Sequence, residues 1–464
     1  MVKVKRDTST VPPDDELKSS IHTERLICTD VDANNNKVWH GFVLKNGDFF
    51  CEYGRVSDTG NNAHDFYPYG DEYEAKKHLD KKVKTKMNYS GKKQPYTRQK
   101  AIASGVPNGN NKTSGKKVSS GDLKSIATKQ IQGDIEVKKL VEWLVGVNIH
   151  QITSHTNISF NVESGMFQTP LGTLVTDEAI SDARVLLDDM SDFVQKRDWD
   201  NRRFKSCLGD YLQLIPQDVG RTRGWHETFL AGNNALQQQN DILDSLSASL
   251  LQASTTPKTK TKTASKKVEQ VFNVALKPVF KGSSFDRVKK KYNNDKGGHY
   301  DVKDYDVHAV WTVEISTVRE AYKADGANVG NIKQLWHGTK ASNLLSIFKG
   351  GLIIPSSNSS HVTGAMFGRG LYFSDQSTKA IRYATGGWGG GGNISRVFMF
   401  MADVAMGKSF SPSGYQYGGF KVPHGYDSCF AKAGTSVRNN EMIVYRCSQA
   451  DLTHLVEFRK KNSR

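Results

Sequence analysis

Two low-complexity stretches constrain this chain more than any other feature of its sequence. Gly, Asn, Lys and Ser dominate from about Gly105 to Gly121, and Ser254 to Lys267 reads STTPKTKTKTASKK. Neither can bury apolar surface, so no single hydrophobic core runs through them, and both read as linkers. At roughly 100–200 residues per domain, a chain of 464 residues is long enough for the several units these breaks imply. The expected organisation is a domain over 20–105, a basic linker over 106–130, a second domain over 131–253 and a third over 268–464.

The apolar period differs between these segments. Residues 37–56 offer two runs of β-branched and aromatic side chains around Lys45-Asn46-Gly47, the preferred chemistry of a tight hairpin turn, and Glu74 through Tyr89 has helical composition. The first domain is therefore small and α+β. In the second, Val137, Leu140, Val141 and Leu144 fall at helical spacing, as do Ile180, Ala183, Leu187, Met190 and Val194. Phe204, Cys207, Leu208 and Tyr211 mark a third helix stopped near Pro216, and Leu236, Leu243, Leu246 and Leu250 a fourth, which predicts an all-α bundle. In the third, Val307, Ala309, Trp311, Val313 and Ile315 alternate with their neighbours, the period of a half-buried strand. Arg396 to Val404 and Met442 to Tyr445 read as buried strands, and Asn343 to Phe348 and Gln376 to Tyr383 as short helices, so this domain is mixed α+β.

Lys and Arg outnumber Asp and Glu by 64 to 48, a balance that attracts polyanions. The excess is concentrated: Lys81 to Asp134 holds thirteen basic residues and two acidic ones. That segment is either a solvated linker or a nucleic-acid contact, to which Lys112, Lys116, Lys117 and Lys124 would contribute. Five widely spaced cysteines without a C-x-x-C pair give no zinc or redox motif. The charged N-terminus lacks a signal-peptide core, and no run approaches the ~18 apolar residues of a membrane span, so neither secretion nor a membrane partner is expected. The run Gly386 to Gly392 lacks the spacing of a dinucleotide-binding loop and is expected to be a surface loop.

Three fragments place a polar group at a strand end: Gln334-Leu335-Trp336-His337-Gly338-Thr339, Gly370-Leu371-Tyr372-Phe373-Ser374 and Asn440-Glu441-Met442-Ile443-Val444-Tyr445. Singly, each is what a satisfied core histidine or a solvated glutamate also looks like. In this order they resemble the catalytic domain of the poly(ADP-ribose) polymerase family, which carries a His in an H-G-[ST] turn, a Tyr in G-[IL]-Y-F and a Glu in N-E-x-I-V-Y. Val362 to Gly370 is similar to that family's substrate loop, and Lys379 and Tyr383 keep its spacing. Thr169 to Leu174 and Tyr211 to Pro216 resemble its helical regulatory domain, and Tyr53-Gly54-Arg55-Val56 its WGR module, with Tyr in place of the name-giving Trp.

The resemblance implies a multidomain enzyme in which a WGR-like domain, a helical regulatory bundle and an ADP-ribosyltransferase domain follow in order. It implies NAD+ as substrate and no metal. Glu441 would hydrogen-bond the nicotinamide ribose and orient or deprotonate the acceptor, His337 would fix the adenosine ribose, and the Gly338 backbone would pair with the carboxamide. Tyr372 and Tyr383 would sandwich the nicotinamide, with Thr339, Asn343, Arg369 and Lys379 completing a polar lining. Departures from the family pattern are Ala380, where a Ser often lies, Ala365 in the substrate loop, and Ser346 and Ile353 along the adenine side; they predict a weaker hold on NAD+ and leave the chemistry intact. Implied partners are DNA with strand breaks, including 5′-phosphorylated ends, and protein acceptors that include the chain itself. Arg55 would meet a phosphate and Tyr53 stack on a terminal sugar or base, unless Tyr53 simply packs on its own sheet. Rival readings are an enzyme that adds single ADP-ribose units and a non-catalytic DNA-end scaffold. The expected compartment is the nucleus in a eukaryotic host and the cytoplasm otherwise.

Overall fold

The computed structural model describes residues 11–33, 35–56, 63–88, 95–98, 131, 133–161, 166–169, 175–220, 222–254, 274–354, 366–386, 394–414, 420–435 and 437–460. The first linker with Lys112, Lys116, Lys117 and Lys124, the second linker after Ser254, residues 170–174, residues 362–365 and most of the glycine run lie outside them. The chain divides into two compact units, Met1–Val118 with Ile152–Gln239 and Ser119–Gln151 with Asn240–Arg464. The division falls inside the helical region rather than at its ends.

The first unit opens with a short helix α1 (Asp14–Lys18) and a sheet of β1 (His22–Asp30), β2 (Asn35–Val43), β3 (Phe49–Arg55), β4 (Ala63–Tyr67) and β5 (Thr97–Arg98), in the order β4-β3-β2-β1-β5. The expected hairpin joins β2 to β3. Gly47 sits at φ 82°, a conformation that only glycine adopts without strain, and the Asp48 amide donates to Asn46 Oδ1. Helix α2 (Glu72–Met87) starts where the Asp71 side chain accepts from the Glu74 amide. It buries Ala75, Leu79 and Val83 against Leu26, Trp39 and Phe49 of the sheet.

The helical region contains α3 (Ile135–His155), α4 (Asp177–Lys196), α5 (Arg202–Leu214), α6 (Trp225–Phe229) and α7 (Asn233–Ser254). Its apolar stripes are buried as the spacing predicts, with Leu187, Met190 and Val194 of α4 and Phe204, Leu208 and Tyr211 of α5 in the first unit. Thr176 and Asn201 cap these two helices through side-chain oxygens. The region is not purely helical: β6 (Ser159–Asn161) pairs antiparallel with β7 (Met166–Gln168), a contact too short for any periodicity to announce.

The second unit is built on two sheets. The larger has the order β10-β12-β16-β9-β8, from β8 (Val274–Val279), β9 (Tyr305–Ile315), β10 (Ile332–Gly338), β12 (Arg396–Ala405) and β16 (Ala450–Lys460). The smaller has the order β11-β15-β14-β13, from β11 (Leu371–Phe373), β13 (Ser409–Phe410), β14 (Ser428–Ala431) and β15 (Glu441–Val444). Helices α8 (Ser283–Asn294), α9 (Ser316–Ala324), α10 (Leu344–Gly350) and α11 (Ser377–Ala384) connect them. Val288 and Tyr292 of α8 and Ile381 of α11 pack with Trp336, Met399 and Val456 in the main core. Two backbone hydrogen bonds between Trp336 and Ser374 tie the end of β10 to the end of β11. That join sets where the polar side chains meet.

Candidate active site

Trp336 is fully buried, and its indole Nε1 donates to Asp295 Oδ2 at 2.7 Å, which fixes the strand end just ahead of His337. His337 Nδ1 lies 3.0 Å from the Tyr372 carbonyl. A carbonyl only accepts, so Nδ1 carries the proton and Nε2 is left as the acceptor. Burial lowers the pKa of this imidazole, against the pull of the Tyr372 carbonyl, so the neutral form is the working one. The next residue has no alternative: a Cβ on Gly338 would lie 1.7 Å from the Ala380 carbonyl of α11. Strand and helix backbones touch there. Thr339 Oγ1 then accepts from Asn343 Nδ2 at 3.3 Å.

Tyr372 faces this turn from β11, which pairs with β15 so that Tyr372 lies opposite Ile443. Its hydroxyl donates to the Gly368 carbonyl at 2.7 Å and accepts from the Phe367 amide at 3.1 Å. Burial pushes this phenol's pKa up, and the charge of Glu441 adds to the effect. With the hydroxyl committed to backbone groups, the ring itself is what Tyr372 can offer a ligand.

Glu441 opens β15 and is 7% exposed. Its Oε1 accepts from Lys379 Nζ at 2.6 Å, and the same ammonium donates to the Asn440 carbonyl at 3.1 Å. Burial lowers the Lys379 pKa while Glu441 opposes that shift. The second carboxylate oxygen, Oε2, is buried without a hydrogen-bond partner. An orphaned carboxylate oxygen is costly and invites a donor such as a ligand hydroxyl. Tyr383 follows Lys379 by one helical turn on α11, half-buried; its phenol pKa is raised by burial first and by Glu441 second.

The structure thus brings His337, Gly338, Tyr372, Lys379, Ala380, Tyr383 and Glu441 together. Arg369 stands half-buried just before β11, Ser346 is half-buried on α10, and Ile353 is 66% exposed. The sequence reading missed how Lys379 engages Glu441. It also missed Asp375, which accepts from Asn440 Nδ2 at 2.7 Å. Only the Asn440-Glu441 dipeptide, already part of a noted fragment, signalled that neighbourhood. On the same turn as Thr339, the Lys340 ammonium bonds the buried Asp241 carboxylate of α7.

In the first unit Tyr53 packs on its own sheet near the Leu26, Trp39 and Phe49 cluster, and its hydroxyl donates to Asp65 Oδ1 at 3.3 Å. Lys86 Nζ lies 5.9 Å from the Tyr53 ring centroid. Arg55 donates to the Gly220 carbonyl at 2.9 Å. Among the described residues no group of three or more His, Cys, Asp or Glu is placed to hold a metal ion, and no helix is long and apolar enough to cross a membrane.

Three family models match along the chain: the WGR domain over residues 23–95, the poly(ADP-ribose) polymerase regulatory domain over 134–272 and the poly(ADP-ribose) polymerase catalytic domain over 283–460. A putative poly [ADP-ribose] polymerase-like protein, 100L of Invertebrate iridescent virus 6, is 30% identical over 134 residues, 27% of this chain and 70% of that protein. The chain belongs to the poly(ADP-ribose) polymerase family. The protein mono-ADP-ribosyltransferase PARP3 of Mus musculus is 25% identical over 442 residues, covering 88% of this chain and 76% of that protein. The poly [ADP-ribose] polymerase of Sarcophaga peregrina is 28% identical over 297 residues, 62% of this chain but 28% of that longer protein. As in other members of the poly(ADP-ribose) polymerase family, the catalytic domain is that of an ADP-ribosyltransferase with NAD+ as substrate. It holds all three strand-end fragments that carry the resemblance.

Proposed function

We propose that this chain is a DNA-break-activated poly(ADP-ribose) polymerase that transfers ADP-ribose from NAD+ to protein acceptors, itself included. The observation that carries this reading is the buried Glu441 carboxylate, with one oxygen held by Lys379 and the other without a partner. The C1′–N bond of the nicotinamide ribose breaks, the bonding pair leaves with neutral nicotinamide, and an acceptor oxygen forms the new bond to C1′ while its proton is lost. Glu441 stabilises the positive charge at C1′, takes a ribose hydroxyl on Oε2 and orients or deprotonates the acceptor. His337 accepts the adenosine-ribose hydroxyl on Nε2, Gly338 pairs with the carboxamide, and Tyr372 and Tyr383 enclose the nicotinamide ring. Thr339, Asn343, Ser346, Arg369 and Ala380 line the remainder.

Residues 20–105 and the basic linker over 106–130 serve DNA, 131–253 serve as the gate, and 268–464 serve NAD+. The bond from Asp241 to Lys340 supports the gate, because it joins a regulatory helix to the turn that carries His337. A second reading, transfer of single ADP-ribose units, is favoured by the mouse relative, whose printed name is that of a mono-ADP-ribosyltransferase. Labelled NAD+ supplied with and without nicked DNA, and products resolved by size, tests all of this. A ladder that appears only with nicked DNA is expected; single-unit products would favour the second reading, and no transfer would refute both.

A further inference from the structure

His299 lies in the segment between α8 and a short 3₁₀ turn, 38 positions before His337 in no motif of its own, and is 2% exposed. That segment brackets α11: the Ser377 amide donates to the Asp295 carbonyl at 2.9 Å, and the Gly297 amide donates to Thr378 Oγ1 at 2.9 Å. His299 is the member that reaches both halves of the site. Its Nδ1 lies 3.2 Å from Arg382 Nη1, on the α11 residue next to Tyr383, and its Nε2 lies 2.6 Å from Asn439 Nδ2, two residues before Glu441. Asn439 is itself 7% exposed.

The donor inventory fixes the proton. A guanidinium has no acceptor, so Nδ1 must present its lone pair to Arg382, which puts the imidazole proton on Nε2; the Asn439 amide, whose nitrogen stands at that position, must then be turned over so that its oxygen accepts. We propose that His299 is a positioning residue for the transfer reaction, its neutral imidazole tying the helix that carries Lys379 and Tyr383 to the strand start that carries Glu441. The proposal rests on the reading of Glu441 given above. A protonated His299 cannot accept from Arg382 and sets two cations face to face. Burial lowers the pKa of this imidazole below its ordinary 6.5; Arg382, Arg438 and Lys379 act in the same direction, and Asp301 opposes them.

Two variants of the full chain separate positioning from mere filling of space. In His299→Gln the carboxamide oxygen can accept from Arg382 and its nitrogen can donate to Asn439, whereas His299→Phe fills the volume and keeps neither bond. The expected results are a loss of roughly 10²-fold in kcat for NAD+ in the Phe variant, the scale of a misplaced reacting group, and a kcat near that of the unaltered protein in the Gln variant. The acid limb of kcat below pH 6.5, to which both His299 and His337 contribute, should become shallower in the Gln variant, the remainder belonging to His337. Equal kcat in the Phe variant and the unaltered protein, or equal loss in both variants, overturns the proposal. If the unaltered protein consumes no NAD+, the proposed function fails instead, and amide hydrogen exchange over 377–384 and 437–444 decides about His299. Faster exchange in the Phe variant alone supports the tie; unchanged exchange in that variant overturns it.

Discussion

Under the proposed function, Glu441 and Lys379 are one pair that serves both stability and chemistry. The Glu441→Gln carboxamide keeps an oxygen for the Lys379 ammonium but loses the charge that the transition state requires. Turnover is expected to fall by roughly 10²–10⁴-fold, while a non-hydrolysable NAD+ analogue binds as before. Steady-state kinetics beside analogue titration checks this; an unchanged kcat with a raised KM would make Glu441 a binding residue only. Lys379→Met leaves a buried carboxylate without its cation, which costs about 3–5 kcal/mol when a buried pair is broken from one side. Denaturant unfolding should show that loss, and adding Glu441→Gln should recover much of the stability and none of the activity. His337, Tyr372 and Glu441 were legible in the sequence because each sits inside a fragment of recognisable composition. The Lys379 bond to Glu441 spans 62 positions, and that from His299 to Asn439 spans 140, so no local pattern contains either.

At the scale of elements, the meeting of β10 and α11 depends on a missing side chain. A Cβ at position 338 would collide with backbone, which cannot rotate aside, so Gly338→Ala must push α11 and its Lys379 and Tyr383 away from the strand. The expected outcome is a lower melting temperature and loss of analogue affinity, with Gly414→Ala, where a Cβ meets nothing within 4 Å, as the silent control. Differential scanning fluorimetry with and without the analogue compares the two. The four longer helices of the middle region and strand β9 were readable from apolar period, and β12 and β15 from continuous apolar runs, whereas the five-residue α6 carries too few residues to show a period. Strand β16 was not readable either. It is buried nearly from end to end but contains Asp451, His454 and Glu457, which read as surface residues. Partners distant in sequence meet the two carboxylates: Glu457 accepts from Arg396 at 2.8 Å, and Asp451 Oδ2 lies 2.6 Å from Arg319, while Asp451 Oδ1 is buried without a hydrogen-bond partner and burial raises the Asp451 pKa against the pull of Arg319.

At the scale of the whole molecule, each unit holds a buried histidine that contributes to its loss of stability in acid. His40 and His454 are both lowered by burial to about 4 from 6.5. Between pH 6.5 and pH 4 the unfolded chain therefore binds protons that the folded chain refuses, and stability falls as the pH drops through that window. By the pKa scale each contributes a loss of roughly 3 kcal/mol. Thermal melts from about pH 7 to pH 4 should show the decline, and His454→Gln should flatten it for the second unit. Regulation belongs to this scale as well. Asp241→Asn removes the charge with which α7 holds Lys340, so DNA-free turnover should rise and the stimulation by nicked DNA shrink. A stimulation ratio equal to that of the unaltered protein would mean that the gate works elsewhere. The order of the larger sheet also bears on how the molecule is made. Strand β16, residues 450–460, lies between β12 and β9 and pairs with both, so on the ribosome every earlier strand of that sheet is synthesised before its central member exists. Until then β9 and β12 present open edges, the form in which strands pair with the wrong neighbour. The transferase is thus assembled last, after the WGR-domain sheet of residues 22–98 has had its whole sequence available to fold, and a chain broken off before residue 450 would have that first sheet without the chemistry.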